Sequence, residues 1–349
     1  MLNSVYMERF ERGNFQPDAQ SNRDYLGGRP VMRFFAWFLL ALPSQLVAAN
    51  SLIDAIEQKM SHYQTEQLKD ELPIQDVWVE NQSHVWMLSQ RNLWRWDLDA
   101  MSFQKFPLAS IGENILLQLK TDGKSLYVAA SGGIFHLAFD PYQVLFYPFP
   151  EKQSHLETIT MTGDADNLFI VRENGIFRIQ TKTQTLEPVI LGLRFLPKDK
   201  VIYNPATKNF WLARHQSLQS IEIRGINTAD QITSFTAKHP ILDIVYDGKS
   251  LYAYTRHAVI QFDPRGEPIA SIAVEGERRI ARMATEHDSH AYMYSDKLFE
   301  IFNLSAKTSR QYFVELGKVR SAGSLSLRDD TLAFIADGIP RIFRLPQRL

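Results

Sequence analysis

The sequence predicts an all-β protein built from repeated units, and three observations support this prediction. A short aromatic or apolar strand segment recurs seven times at a spacing of 40 to 42 residues. Within these segments apolar and polar residues alternate with a period of two, which is typical of strands. Glycine, asparagine, aspartate and lysine occupy the corners, where tight turns favour them. The hexapeptide DGKSLY occurs at 122–127 and again at 247–252, three repeats apart, so both copies mark the same corner of equivalent units.

Each repeat contains four strand segments in a fixed order. The second segment is the clearest, and its central residues are 41, 42, 42, 41, 40 and 41 positions apart: Trp86, Tyr127, Phe169, Trp211, Tyr252, Tyr292 and Ala333. A third segment follows about eight residues later. A first segment precedes the second one, for example at 74–79, 115–120, 241–246 and 280–285. An outer segment ends the unit, as at 144–149 and 269–274. Four strands in about 41 residues are typical of a propeller blade, so we expect a seven-bladed β-propeller over residues 74–349.

The seventh repeat lacks its outer segment because the sequence stops at Leu349. We expect a strand near 62–65, which resembles the outer segment at 310–316, to complete that blade. The stretch before it, within residues 50–73, predicts a short amphipathic helix with Leu52, Ile56 and Met60 on one face. That face either packs on the rim of the propeller or mediates self-association.

Residues 32–49 have the features of a secretory signal peptide. Met32 and Arg33 precede a nine-residue apolar run at 34–42, and small residues before Asn50 predict cleavage near Ala49. The run is too short to span a bilayer, for which about 20 residues are needed. The alternative is a short membrane anchor or a buried helix. Residues 1–31 are polar and are either a disordered leader or untranslated, with Met32 as the start, and a bacterial periplasm is the expected location.

Composition excludes several classes of function. The formal net charge is −1, so no overall field favours nucleic acid or an anionic membrane surface. Cysteine is absent, which excludes disulfides, thiolate metal ligands and a cysteine nucleophile. Hydrophobic residues make up 45% of the chain and aromatic residues 12%, enough for a large packed core.

Two blades match a known repeat pattern. Residues 122–140, DGKSLYVAASGGIFHLAFD, and residues 164–180, DADNLFIVRENGIFRIQ, resemble the bacterial periplasmic sensor-type propeller, of the kind found in two-component regulators, whose blade reads roughly D-G-x-L-W-V-x-T-x-x-G-L-x-R-Y-D. Repeats one and five match in part, and repeats four, six and seven have lost the glycine or the aromatic residue. The resemblance implies a propeller fold and a secreted location, and no catalytic residues carry over. Proteins of that kind sense ligands or hold partners within membrane receptors, whose transmembrane and signalling segments this sequence lacks.

No catalytic, cofactor or metal site is predicted. His287 and His290 have a metal-like spacing, but they align with a turn and no third ligand is apparent. Asp164 and Asp166 resemble the start of a calcium loop without its later ligands, so we expect a turn. The Ser131-Gly132-Gly133 stretch does not fit a nucleophile elbow, and its two glycines are expected at positive φ in a hairpin.

One outer segment, residues 142–150, is apolar on both faces. Outer strands of a sheet are exposed edges that proteins usually blunt with charge or proline. This segment either packs under a neighbouring blade or forms an edge for a partner or for self-assembly, with four candidate residues: Val144, Phe146, Tyr147 and Phe149.

These features together predict a protein that binds rather than catalyses. The first hypothesis is a non-enzymatic periplasmic scaffold for protein–protein interaction, which associates with itself or with other proteins of the cell envelope and organises the envelope or cell shape. The alternative is a ligand sensor or accessory subunit that captures a small molecule in the central funnel for a membrane receptor or an assembly machine. A metal-dependent hydrolase or lactonase is a third hypothesis.

Overall fold

The structure, a computed structural model, describes residues 68, 70, 72–90, 92–107, 116–121, 125–139, 141–150, 156–273, 281–286, 289–294, 298–303, 308–313 and 321–344. Every regular element in these ranges is a β-strand, and the strands form antiparallel sheets that follow one another along the chain. The predicted helix and the predicted strand near 62–65 lie outside the described residues.

The first three sheets have four strands each. Blade one contains β1 (Asp76–Asn81), β2 (His84–Leu88), β3 (Asn92–Asp97) and β4 (Ser102–Pro107). Blade two contains β5 (Leu116–Thr121), β6 (Ser125–Ala130), β7 (Gly133–Phe139) and β8 (Tyr142–Pro148). Blade three contains β9 (Thr158–Gly163), β10 (Asn167–Arg172), β11 (Gly175–Gln180) and β12 (Thr185–Leu191).

The next three sheets repeat this order, and a three-stranded sheet follows them. Blade four contains β13 (Lys200–Asn204), β14 (Asn209–Arg214), β15 (Ser217–Gly225) and β16 (Thr228–Thr236). Blade five contains β17 (Ile241–Tyr246), β18 (Leu251–Thr255), β19 (Ala258–Phe262) and β20 (Pro268–Ala273). Blade six contains β21 (Ala281–Glu286), β22 (Ser289–Tyr294), β23 (Leu298–Asn303) and β24 (Thr308–Phe313). The last sheet, which we call the closing sheet, contains β25 (Ala322–Arg328), β26 (Thr331–Ala336) and β27 (Ile339–Arg344).

The first strands of all these sheets form a closed ring. Each of β1, β5, β9, β13, β17 and β21 contacts the first strand of the following sheet, and β25 contacts both β21 and β1. The fold is therefore a β-propeller, as predicted. The prediction of a seven-bladed propeller is wrong: the described residues form six complete four-stranded blades and a three-stranded sheet, and the residues of the predicted helix lie outside the described ranges. The physical reason is that the described residues of the last repeat supply three strands, whereas each of the other six repeats supplies four.

The core lies between neighbouring sheets. Because side chains of a strand alternate between its two faces, each of blades one to four contributes apolar residues to a cluster on either side. Fully buried members of these clusters include Leu93 and Leu126 between blades one and two, Ile134 and Ile170 between blades two and three, Val171 and Ile176 between blades three and four, and Leu218 and Leu251 between blades four and five.

The segment that precedes blade one also belongs to the core. Leu68 is 1% exposed and packs in a cluster with Leu98 of blade one and Ile335 of the closing sheet. The backbone N–H of Ile74 donates a 2.8 Å hydrogen bond to the carbonyl oxygen of Gly338. The chain before the first strand therefore bridges the two sheets at which the ring closes.

Two repeated glycines are explained by close packing of the outer strand. A Cβ at Gly133 would lie 2.3 Å from the carbonyl oxygen of Tyr147, and one at Gly175 would lie 2.3 Å from the carbonyl oxygen of Ile190. Neither glycine has a positive φ, so the expectation of positive φ at Gly133 is wrong. Both glycines begin a Gly-Ile-Phe sequence, at 133–135 and 175–177, and a glycine is required there because the fourth strand passes directly against the third.

Replacing Gly175 with alanine is expected to destabilise the fold by about 1–3 kcal/mol, the usual range for overpacking. The added methyl group meets a backbone oxygen that cannot rotate away. Gly225 is the matched control, because a Cβ there has nothing within 4 Å and its φ is not positive. Gly225→Ala should change the unfolding free energy by less than about 0.5 kcal/mol in urea titrations. Equal effects of the two substitutions would contradict this explanation.

Candidate functional site

A central cavity of about 470 Å³ lies on the axis of the ring. It is lined by the first strands β1, β5, β9, β13, β17 and β25 and by the residues just before β1 and β13. Its size falls in the range of small-molecule sites, which are concave and carry a few convergent polar groups. Charged groups of both signs line it, two lysines and three aspartates: Lys120, Lys200, Asp76, Asp199 and Asp243.

Polar residues occupy the same register in most of the first strands. The central residue of each second strand pairs with one residue of the first strand, and the polar residue lies two positions before that partner. For example, Asp76 pairs with Leu88 while Trp78 pairs with Trp86. We call this set the polar ring: Asp76, Gln118, Thr160, Lys200, Asp243 and Ser324, with Ala281 at the equivalent place in blade six.

Part of the polar ring joins neighbouring blades. Asp76 Oδ2 accepts a 2.7 Å hydrogen bond from the backbone N–H of Leu119 in blade two. Gln118 Nε2 donates to Thr160 Oγ1 at 3.3 Å, and Ser324 Oγ accepts from the N–H of Val77 at 3.0 Å. A first strand is a sheet edge whose outward N–H groups need partners. Asp76 and Ser324 supply such partners across the blade boundaries, which explains the polar residues at these two positions structurally.

Lys120 does not fit that structural role. It lies two residues after the polar-ring position of its strand. The equivalent residues of blade three and of the closing sheet, Thr162 and Ser326, accept hydrogen bonds from the backbone N–H groups of Tyr203 and Val79. An amine of lysine cannot accept such a bond while it is protonated. Among the described residues no carboxylate forms an ion pair with Lys120. Burial in the cavity wall lowers the pKa of Lys120 to about 8, and the negative charge of Asp164 opposes this shift in part.

Four buried polar atoms in the cavity wall also have no hydrogen-bond partner among the described residues. They are one indole N–H and three oxygens: Trp78 Nε1, Gln75 Oε1, Gln118 Oε1 and Thr158 Oγ1. Buried polar atoms in folded proteins are nearly always satisfied, and each exception calls for an explanation. Together with Lys120, the wall offers two donors and three acceptors to a molecule in the cavity. This arrangement can bind a small polar ligand.

Sequence reasoning missed the polar ring and Lys120. The polar ring combines aspartate with glutamine, threonine, lysine and serine, so a pattern of histidine and acidic residues alone does not show it. The signal was present in the sequence, because the ring members are 38 to 43 positions apart and five of them face a second strand with a central aromatic residue.

The predicted interaction edge on β8 is largely covered by neighbouring blades. Val144 and Phe146 pack against the cluster between blades one and two, and Tyr147 packs against the cluster between blades two and three. Phe149 is 5% exposed, and the guanidinium of the fully buried Arg172 lies 3.7 Å from the centre of its ring. Val144, Phe146 and Tyr147 thus pack on both faces of the strand, as the first alternative for this segment expects, and its use as an interaction edge stays a prediction.

The other candidate residues fall at turns or outside the described residues. Asp164 Oδ1 accepts from the backbone N–H groups of Asp166 and Asn167, which confirms the turn. Leu52, Ile56, Met60 and His287 lie outside the described residues, as does the predicted signal peptide. In the part of the chain that the structure describes, no group of three His, Cys, Asp or Glu side chains could hold a metal ion. No helix in that part is long and apolar enough to cross a membrane.

The fold and the cavity define this chain as a β-propeller with a polar central cavity. No family model matches the sequence, and no curated protein matches it either. Among solved structures, virginiamycin B lyase from Staphylococcus aureus is similar at a TM-score of 0.58 and 14% identity, over 80% of this chain and 96% of the lyase. An inactive variant of that lyase with quinupristin matches at 0.58 and 12%, over 78% and 94%. A chain of a mitotic checkpoint complex matches at 0.58 and 12%, over 77% and 85%. These likenesses support the propeller fold alone.

Proposed function

We propose that this chain is a non-enzymatic binding protein that captures a small hydroxylated acid, such as a sugar acid, in its central cavity. The observation that supports the proposal is the presence of Lys120 and four buried, unpartnered polar atoms in one cavity of about 470 Å³. A ligand with both a carboxylate and hydroxyl groups complements this set of donors and acceptors.

Lys120 and the four unpartnered polar atoms each have a role in this proposal. The ammonium of Lys120 and the indole N–H of Trp78 donate to the ligand's carboxylate. Charge-assisted bonds of this kind are about twice as strong as neutral ones. The oxygens of Gln75, Gln118 and Thr158 accept from its hydroxyl groups. The carboxylate favours the charged form of Lys120, so binding should raise the pKa of that amine.

The proposed location is the bacterial periplasm, where the protein presents its ligand to a partner in the cell envelope. The support is the signal-peptide pattern at residues 32–49 and the resemblance of residues 122–140 and 164–180 to sensor-type blades. Detection of mature protein beginning near Asn50 in a periplasmic fraction tests this location.

Calorimetric titration of the protein with D-glucuronate, D-glucose and acetate tests the proposed ligand class. We expect saturable binding of glucuronate with one ligand per chain. We expect at least tenfold weaker binding of glucose, which lacks the carboxylate, and of acetate, which lacks the hydroxyl groups. Glucuronate recovered after long incubation should be chemically unchanged, because the proposal assigns no reaction to the cavity.

The contradicting outcomes are distinct. Absence of saturable binding of glucuronate at millimolar concentration would contradict the proposed ligand class. Equal binding of glucose would show that Lys120 does not recognise a carboxylate. Conversion of the sugar acid to a product would contradict the non-enzymatic role.

A second candidate function, a self-associating envelope scaffold, is favoured by exposed isoleucines. Ile226, Ile232 and Ile269 are 47%, 52% and 57% exposed, and all three belong to blades four and five. Exposed apolar residues are typical of interaction surfaces where they form a contiguous patch, and the scaffold hypothesis requires that these three isoleucines form one. Light scattering should show mass increasing with concentration, and Ile232→Ser should reduce that increase. A monomer at every concentration would contradict self-assembly.

A further inference from the structure

A second concave site lies on the outer side of the propeller, between blades four and five. It is a groove of about 690 Å³. Its walls come from the end of β16, the connection between β16 and β17, the turn between β18 and β19, and strands β19 and β20. The groove shares no lining residue with the central cavity and is independent of the function proposed above.

One end of the groove is cationic. The rings of His239 and His257 meet edge to face, with centroids 4.4 Å apart. Lys238 lines the groove beside them, and Arg256 is adjacent in the turn. The pKa of His239 is lowered by partial desolvation and by the positive charges of His257, Lys238 and Arg256. Among the described residues, the charged groups that act on His239 are thus all cations. This end of the groove is therefore suited to bind an anion.

The rest of the groove is mostly apolar. Phe235 and Ile260 are half-buried in its walls, and Pro268 and Ile269 of β20 are exposed along it. A small hydrophilic anion would leave this wall in contact with water. A neutral apolar chain would leave the cationic end without a partner. The groove therefore complements a molecule with an apolar body and an anionic head.

We propose that this groove binds a fatty-acid-type amphiphile, with its carboxylate between His239 and His257 and its alkyl chain along Phe235, Ile260 and Ile269. An anion beside the imidazoles favours their protonated forms, so binding takes up protons. By linkage, affinity should increase as the pH falls through the titration range of His239.

Calorimetric titration with dodecanoate below its micellar concentration tests the proposal, with dodecyltrimethylammonium and acetate as matched probes. We expect one dodecanoate per chain, bound at least tenfold more tightly than either control and more tightly at pH 6 than at pH 8. The double variant His239→Gln/His257→Gln should lose at least tenfold in affinity and most of the pH dependence. Ile269→Ser should weaken binding without changing its pH dependence. His215→Gln, an exposed histidine of blade four outside the groove, is the control and should bind as the parent protein does.

Several outcomes would overturn the proposal. Equal affinity for dodecyltrimethylammonium would show that the cationic end plays no part. Equal affinity for acetate would mean that the site binds an anion only. Unchanged binding in the double variant would place dodecanoate elsewhere. Binding of a short polyglutamate peptide in place of dodecanoate would identify the groove as a docking site for an acidic protein segment.

Discussion

Replacing Leu68 with alanine is expected to cost about 2–5 kcal/mol of stability, the range measured for buried leucines in well-packed cores. Leu68 is 1% exposed and packs between blade one and the closing sheet, with Ile74 bonded to Gly338 nearby. The closing sheet has three strands, so the ring depends at this boundary on the chain that precedes blade one. The loss should appear as a lower urea midpoint, measured by tryptophan fluorescence.

Leu196→Ala is the matched control for this prediction. Leu196 is 40% exposed in the connection before blade four, so its truncation leaves no cavity. We expect a change of less than about 0.5 kcal/mol there. If Leu68→Ala were as mild as the control, residues before β1 would have no part in closing the ring, and the account of the closing sheet would be wrong.

Replacing Lys120 with methionine is expected to stabilise the fold at pH 7 by about 1–3 kcal/mol while it abolishes binding of a sugar acid. The pKa of Lys120 is lowered from 10.5 to about 8, mainly by burial, and each pKa unit corresponds to about 1.4 kcal/mol. A group whose charged form is penalised in the folded state destabilises the fold while it is charged. Methionine keeps the length of the side chain and removes that penalty. Such a gain in stability with loss of function is typical of binding-site residues.

The pH dependence of stability checks the same point. Between pH 8 and 10.5 the unfolded chain holds a proton on Lys120 that the folded chain has lost. The contribution of Lys120 to the free energy of unfolding therefore rises with pH across that window. Lys120→Met should remove this rise, whereas Lys198→Met, at an exposed lysine, should leave it intact. A destabilising effect of Lys120→Met at pH 7 would show that the amine has a structural partner, and would contradict its role in ligand binding.

The propeller fold was predictable from the sequence because its signal is periodic. The central residues of β2, β6, β10, β14 and β18 include Trp86, Tyr127 and Phe169, and their spacing of about 41 residues needs no knowledge of tertiary contacts. The number of complete blades was not predictable in the same way. Closure of a ring depends on contacts between the two ends of the chain, such as those of Leu68, which no local pattern encodes.

The candidate site was harder to predict than the fold. The apolar residues on both faces of β8 leave two interpretations open, a strand packed under a neighbouring blade and an exposed edge, because the same pattern fits either. Sequence alone does not show that Arg172 covers Phe149, since the two residues meet only when blades two and three pack together. Lys120 has no motif around it. It stands out only because its amine is desolvated in a cavity, and that cavity is formed by residues from six strands that lie far apart in the sequence.

The pKa of the Lys120 amine, measured with and without D-glucuronate, tests the central claim most directly. Lysine labelled with ¹³C at Cε would report the titration by NMR, and the resonance of Lys120 would be assigned by its loss in Lys120→Met. We predict a pKa of about 8 in the free protein and a higher value when glucuronate is bound. Titration in the ordinary range of lysine near 10.4, unchanged by glucuronate, would contradict the proposed role of the central cavity.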